Sequence, residues 1–120
     1  AIGEAFHITS DEILTWNQIY AEIAAAVGAK SPQIVKVPTD FICQMAPQMT
    51  GTLKGDKAHP GVFDNAKIKR FVPEFRCRVP FRLGVRESVR WLREHPHQQN
   101  LKPELDTLIQ NVIAAWERGR

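Results

Sequence analysis

The stretch GDKAHPGVFDNAKIKRF, residues 55–71, joins a polar loop to a helix and decides how the rest of the chain is arranged. Asp64 is a suitable N-cap for this helix, because its carboxylate can accept hydrogen bonds from the unpaired N–H groups of the first turn. Lys67 follows one turn later on the same helical face. We therefore predict that Asp64 and Lys67 are structural residues. The helix should end near Val72, before a proline.

The loop before this helix carries two candidate binding residues. Lys57 and His59 lie between Gly55 and Gly61, shortly before a helix N-terminus, where an anionic group could be held. The same composition also fits an ordinary surface loop. Residue types alone leave both interpretations open.

Three short segments have the composition of β-strands. They are residues 5–9 (AFHIT), residues 33–37 (QIVKV) between two prolines, and Val62–Phe63. Residues 5–9 favour a buried strand, and His7 within them is interpreted as a structural histidine. A strand needs neighbours, so a strand this close to the first residue suggests a piece of a larger domain.

Helices are expected in the remaining regions. The clearest begins after Thr15, which forms a capping box with Gln18, and its apolar residues recur at helical spacing up to Gly28. Further helices are predicted over residues 41–46, 64–72, 81–95 and from 103 onwards, with a loop over residues 48–58. Gly84 costs its helix about 1 kcal/mol relative to alanine, and we expect it to permit close packing against a neighbouring backbone.

Bulk composition indicates one small globular domain. The chain has 120 residues, of which 43% are hydrophobic and 24% charged. No apolar run is long enough to span a bilayer, and the first residues lack the order of a signal peptide. Cys43 and Cys77 are interpreted as reduced thiols. These features favour a cytoplasmic protein that does not enter a membrane.

The net charge of +3 is concentrated in the arginine-rich segment 67–93. Such a cluster can bind RNA or an acidic protein partner. Glu74, Glu87 and Glu94 are interspersed among these cations, and this mixture favours a solvated face. Nucleic acid is therefore not the expected partner, and binding of RNA or of an acidic partner remains the alternative function.

Catalytic and metal-binding motifs are missing from the sequence. It contains no dinucleotide-binding glycine turn, no P-loop, no GxSxG elbow and no HExxH or CxxC spacing. The single tyrosine, Tyr20, lies on the apolar stripe of the first predicted helix. We therefore predict no catalytic residue and no metal site in this chain.

Two long stretches resemble the extended short-chain dehydrogenases/reductases, the NAD-dependent epimerase/dehydratase family. GEAFHITSDEILTWNQIYAEIAAAVG, residues 3–28, is similar to the strand, polar loop and helix that follow the catalytic region of these enzymes. FDNAKIKRFVPEFRCRVPFRLGVRESVRWLREHP, residues 63–96, is similar to their closing pattern. That pattern has Asp-x-x-Lys at a helix start, matched by Asp64 and Lys67. It then has a proline, a glycine matched by Gly84, and a helix that ends in Trp-Leu.

The resemblance implies an α/β fold, or α+β for the isolated piece. The chain would be the C-terminal portion of a Rossmann-type enzyme, with few short strands and four to five helices. Residues 1–120 would form a single substrate-binding fragment. Within it, 1–28 would supply the last core strand and helix, 29–96 the substrate-side part and 97–120 a C-terminal helix.

The resemblance also implies a function. The chain would be the substrate-binding region of an NAD(P)-dependent epimerase, dehydratase or reductase acting on a sugar nucleotide or related anionic substrate. The family's cofactor-binding glycine motif and Tyr-x-x-x-Lys pair are absent here. NAD or NADP would therefore be held by a missing N-terminal cofactor-binding domain, and this chain would hold no cofactor.

The implied substrate contacts are Lys57, His59 and Arg78. Asp56 and Lys57 fall near the position of an Asp-Arg pair whose arginine meets the substrate diphosphate in nucleotide-sugar members of the family. Lysine keeps the charge but loses the bidentate guanidinium. Self-association is also expected, because an isolated strand at residues 5–9 would have unpaired edges.

Overall fold

The computed structural model describes residues 2–119, and within that range the chain is helical. Its α-helices are α1 (Trp16–Val27), α2 (Thr39–Met45), α3 (Ala66–Phe71), α4 (Phe81–Glu94) and α5 (Pro103–Arg118). Two 3-10 turns, Pro47–Met49 and Pro96–Gln98, and one π-helix, Gly51–Asp56, complete the regular structure. No residue between 2 and 119 belongs to a β-strand.

The predicted α/β fold is therefore wrong, and the described chain is all-α. Residues 5–9, 33–37 and 62–63 do not form helix, but none of them joins a backbone ladder. A strand requires a neighbouring strand that exchanges N–H···O bonds with it. The Thr9 hydroxyl instead donates to the Phe63 carbonyl, and the Asn65 side-chain amide donates to the Thr9 carbonyl. These are side-chain hydrogen bonds, so the β propensity of the segment does not lead to a backbone ladder. Without strands, residues 2–119 do not form the predicted Rossmann-type architecture.

The capping box predicted for α1 is confirmed. The Thr15 hydroxyl accepts a hydrogen bond from the Gln18 N–H at 3.3 Å, and the Thr15 N–H donates to Gln18 Oε1 at 2.8 Å. Gly28 ends the helix with φ of 82°, in the left-handed region that glycine adopts without a Cβ clash. Both ends of α1 are thus determined by residues next to the helix.

The segment predicted as a loop over residues 48–58 is partly helical. It contains most of one 3-10 turn and the π-helix Gly51–Asp56. The wide turn of the π-helix ends at Lys57, whose N–H donates to the Thr52 carbonyl at 2.9 Å. Gly51 and Gly55 in this segment are typical of turns, and glycine positions alone do not indicate a six-residue π-helix.

The described chain forms two compact units. The first unit contains the chain up to Pro32 together with Val62–Gln98, and the second contains Gln33–Gly61 and the chain from Gln99 onwards. In the first unit, α1 packs along α4, and Ala24 and Ile68 are buried.

The second unit is built from α2 and α5. The rings of Phe41 and Trp116 meet edge to face with centroids 5.1 Å apart, and Ala46 and Val112 are buried. Such aromatic pairs add to the stabilisation that apolar burial provides. Among residues 2–119, every helix is too short or too polar to cross a lipid bilayer.

Candidate functional site

A polar junction connects two distant segments of the first unit. We use this name for Thr9, Asp11, Asn65 and Lys69. The Asn65 side-chain amide donates to the Thr9 carbonyl and to Asp11 Oδ1, both at 2.9 Å. Asn65 is only 9% exposed, so these two bonds satisfy a side chain that is largely removed from water.

Lys69 and Asn65 together set the ionisation of Asp11. Lys69 Nζ lies 2.5 Å from Asp11 Oδ1. The hydrogen bond from Lys69, followed by the one from Asn65, lowers the pKa of Asp11 below its ordinary value of 3.8. The carboxylate therefore stays charged in the folded protein to lower pH than it does in an unfolded chain.

The two matched residues of the Asp-x-x-Lys pattern have local and long-range contacts. Asp64 Oδ1 accepts a hydrogen bond from the Ala66 N–H at 2.8 Å, directly before α3. Lys67 Nζ lies 2.5 Å from Glu4 Oε2 and 5.0 Å from the centre of the Phe6 ring. Lys67 is thus engaged within the first unit by a carboxylate and an aromatic face.

Helix α4 also receives contacts from the N-terminal part of the chain. Glu12 Oε2 accepts a hydrogen bond from the N–H of Phe81, the first residue of α4, at 2.8 Å. At the other end, the Arg93 guanidinium donates to the Val27 carbonyl at 2.9 Å, at the C-terminus of α1. Both bonds satisfy groups that helix ends leave unpaired.

Gly84 lies in the first turn of α4 and is half-buried. A Cβ added there would meet Val79 Cγ1 at 3.7 Å, an ordinary van der Waals distance, and nothing closer. The nearest neighbour is thus a side chain that leaves room for a methyl group.

In the second unit, the loop after the π-helix places Lys57 beside an acid. Lys57 Nζ lies 2.5 Å from Asp56 Oδ2, and both side chains are largely exposed. An anionic ligand that binds Lys57 would have to compete with this carboxylate. The pair can therefore exchange an internal anion for an external one with little desolvation cost, because both groups remain in water.

A second ion pair connects the π-helix to α2. Lys54 Nζ lies 2.6 Å from Asp40 Oδ1 at the start of α2. The hydrogen bond between them lowers the pKa of Asp40 and raises the pKa of Lys54. Each group thus favours the charged form of the other.

The other two predicted contact residues are exposed. His59 lies in the second unit, two residues after Lys57, and Arg78 lies in the first unit between α3 and α4. Neither side chain has a hydrogen bond or ion pair to any residue from 2 to 119. Their polar atoms are therefore accessible to a ligand.

The sequence interpretation missed Asn65 and Glu12. An Asp-Asn pair before a helix is a typical turn signal, which explains a local bond but gives no hint of partners near residue 10. Glu12 lies shortly before α1 in the sequence, but it binds the first N–H of α4, 69 residues away. Only the folded chain brings these groups within bonding distance.

In the described part of the chain, no group of three or more His, Cys, Asp or Glu side chains lies close enough together to hold a metal ion.

Comparison with known proteins adds no relative. No family model matches the chain, and searches of curated proteins and of solved structures find no match either.

Proposed function

We propose that this chain is the substrate-binding region of an NAD(P)-dependent epimerase, dehydratase or reductase, located in the cytoplasm and not catalytic by itself. Its substrate is a sugar nucleotide or a related anionic molecule. NAD or NADP is held by a separate cofactor-binding domain, which also supplies the residues for hydride transfer.

One observation carries the proposal. The two stretches that resemble the enzyme family lie more than 30 residues apart in sequence (3–28 and 63–96), and they meet in the first unit. Asn65, inside the Asp-x-x-Lys pattern, binds the carbonyl of Thr9, and Phe6 packs edge to face on Phe71 at 5.1 Å. Such a meeting is what we expect if both stretches come from one structural pattern.

The charges of the second unit support an anionic substrate. Lys57 follows a π-turn, a feature that is frequent at functional sites, and His59 lies two residues later with its ring accessible. Lysine and histidine can both donate hydrogen bonds to phosphate oxygens. In this proposal Lys57 leaves Asp56 to bind the diphosphate, and His59, in the same unit, donates to one of its remaining oxygens.

Unpaired backbone supports a further domain. Residues 4–10 form no backbone ladder within the range 2–119, so their main-chain groups other than the Thr9 carbonyl, which Asn65 binds, can pair with another strand. Trp16 and Tyr20 on α1 are 58% and 53% exposed, which is unusual for large aromatic residues of a nearly uncharged helix. We propose that a cofactor-binding domain contacts this surface, and that the chain self-associates without it.

The substrate proposal can be tested by titrating the chain with a UDP-sugar and recording amide chemical shifts by NMR. We expect shifts at Lys57, at His59 and in their neighbours, and weaker binding for Lys57→Gln. Lys54→Gln is the matched control, because it removes a lysine charge from the same turn. Equal loss in both variants, or no shift near Lys57, would contradict the proposed site.

The domain proposal has its own test. The sequence encoded immediately before Ala1 should contain a glycine-rich strand–turn–helix and a Tyr-x-x-x-Lys pair. Its absence would refute the family assignment. For self-association, sedimentation velocity should show a mass that rises with concentration, and a monomer at all concentrations would contradict it.

A further inference from the structure

A row of arginines covers the outer face of α4. Arg82, Arg86 and Arg90 are spaced four residues apart, so they lie on one helical face with a cation about every 6 Å along the axis. All three are exposed, and none of their guanidinium groups has an ion pair or hydrogen bond to another residue in the range 2–119. We call these residues the arginine row.

The glutamates that the sequence places among the arginines do not neutralise this row. Glu87 and Glu94 lie on α4, three residues before and four residues after Arg90, at spacings that permit an ion pair. Neither forms one with any residue from 2 to 119, and the same holds for Glu74. Within the described residues the fold therefore presents three unpaired guanidinium groups, whereas the composition alone suggested that nearby glutamates offset their charge.

An aromatic side chain lies beside the row. Trp91 is 48% exposed, and its indole stacks on the His95 imidazole with centroids 4.4 Å apart. A surface depression of about 410 Å³ has Arg90 and Trp91 on its wall, so both contribute to one surface. Glu87 and Glu94 line the same depression.

We propose that this surface binds single-stranded nucleic acid. The arginine row binds successive phosphates, and a base enters the depression and stacks on Trp91. Glu87 and Glu94 accept hydrogen bonds from amino groups on the edge of that base. This proposal is independent of the proposed enzymatic role, since it uses none of the proposed substrate contacts Lys57, His59 and Arg78.

The depression favours nucleic acid over an acidic protein. An acidic peptide could pair with the arginine row, but its carboxylates offer no hydrogen-bond donor to Glu87 and Glu94, which repel any anionic group near Arg90. Base edges carry amino donors that carboxylates accept, and every base has a face that can stack on an indole. The combination of a cationic row, an exposed indole and two adjacent acceptors therefore fits a phosphate-linked chain of bases.

The test is fluorescence anisotropy of a labelled oligouridine and a labelled oligocytidine against the whole chain over a range of KCl concentrations. Each phosphate contact to a single strand contributes about −0.7 to the slope of log K against log salt concentration. The triple variant R82Q/R86Q/R90Q should thus lose about 2 units of slope. R118Q, which removes an exposed arginine from α5, should leave the slope unchanged.

A second variant tests the base contact. Trp91→Ala should weaken binding about fivefold or more, while Trp91→Phe should retain most of the affinity because phenylalanine still stacks. Glu87→Gln should reduce the preference for oligocytidine over oligouridine, since cytosine offers an amino group at that edge. Far-UV circular dichroism checks that each variant keeps its helices. If the triple variant unfolds, Arg86→Gln alone should reduce the slope by about 0.7.

Several outcomes would overturn the proposal. These are no binding at low salt, a slope unchanged by the triple variant, and equal loss in R118Q. Equal competition by polyglutamate would indicate an acidic protein partner instead. A further such outcome is that inorganic polyphosphate binds as tightly as the oligonucleotides while Trp91→Ala has no effect. That result would show that no base contact exists and that the arginine row binds phosphate alone.

Discussion

The polar junction of the first unit joins residues that are far apart in the sequence around a largely buried amide, whereas the ion pairs of Lys54 and Lys57 in the second unit join residues closer in sequence and are exposed. Asn65 and Lys69 reach Thr9 and Asp11 across 54 to 58 residues. In the second unit, Lys57 pairs with its neighbour Asp56. Lys54 pairs with Asp40, fourteen residues away.

This difference separates residues that hold the fold from residues that are available to a ligand. A largely buried amide with two bonds has no alternative partner, so the polar junction depends on Asn65. An exposed ion pair exchanges easily with water and salt, so breaking it costs little. The candidate binding residues Lys57 and His59 therefore lie where rearrangement is cheapest.

The largest effect is expected for Asn65→Ala. This change leaves the Thr9 carbonyl and Asp11 without their amide donor, and we expect a loss of about 1–3 kcal/mol in the free energy of unfolding measured with urea. Asn17→Ala, on the exposed side of α1, should change it by less than about 0.5 kcal/mol. Equal effects of the two variants would remove the distinction between the polar junction and an ordinary surface amide.

Gly84→Ala should stabilise the protein by about 1 kcal/mol, because alanine is the better helix former and its methyl group has room beside Val79. Gly28→Ala should do the opposite and destabilise by about 1–2 kcal/mol, because φ at Gly28 is 82°. Thermal or urea unfolding of the two variants measures both signs. A loss of stability in Gly84→Ala would show that α4 needs a closer approach at this position.

Acid should weaken the first unit through Asp11. The folded-state pKa of Asp11 is lowered, so its stabilising contribution is present above 3.8 and is lost as the pH falls through the folded value. Asp11→Asn should therefore lower the urea midpoint at neutral pH and have a smaller effect well below pH 3.8. Asp106→Asn is the control, since that carboxylate has no ion pair in the described chain.

The smallest effect is expected for the exposed pair of the second unit. Lys54→Gln should leave the urea midpoint unchanged within error, since both partners are more than half exposed. Lys67→Gln should cost more, up to about 1 kcal/mol, because Lys67 also lies over the Phe6 ring. A larger loss in Lys54→Gln than in Lys67→Gln would reverse the proposed contrast between the units.

Local signals in the sequence predicted the helices well. Thr15, Gln18 and Gly28 determine α1 through contacts within a few residues, and Pro103 is the first residue of α5 as predicted. The helix predicted from Asp64 begins two residues later, at Ala66, because the Asp64 side chain binds that amide from outside the helix. Such shifts at helix ends are common.

The strands were not predictable in the same way, because a strand is a relation between two segments. Residues 5–9 and 33–37 have β-branched and aromatic side chains, yet neither has a backbone partner in the range 2–119. Composition indicates the β propensity of one segment, whereas a ladder also requires a second strand next to it.

The residues of the candidate site were also predictable only where the signal is local. Lys57 and His59 were found from their charge and the flanking glycines, which are local features. Asn65 and Glu12 were not found, because their partners lie more than 50 residues away. The arginine row was visible as a cluster, but its lack of ion pairs depends on side-chain positions that spacing does not fix.

The sequence by itself determined the approximate positions of the α-helices, both ends of α1 and the positions of the charges, because those depend on hydrogen bonds and spacings within one or two turns. Only the tertiary structure decided that, within residues 2–119, residues 5–9 join no ladder, Asn65 is buried against Thr9, and the side chains of Arg82, Arg86 and Arg90 stay unpaired. The physical reason is that burial and pairing depend on which distant groups occupy the neighbouring space.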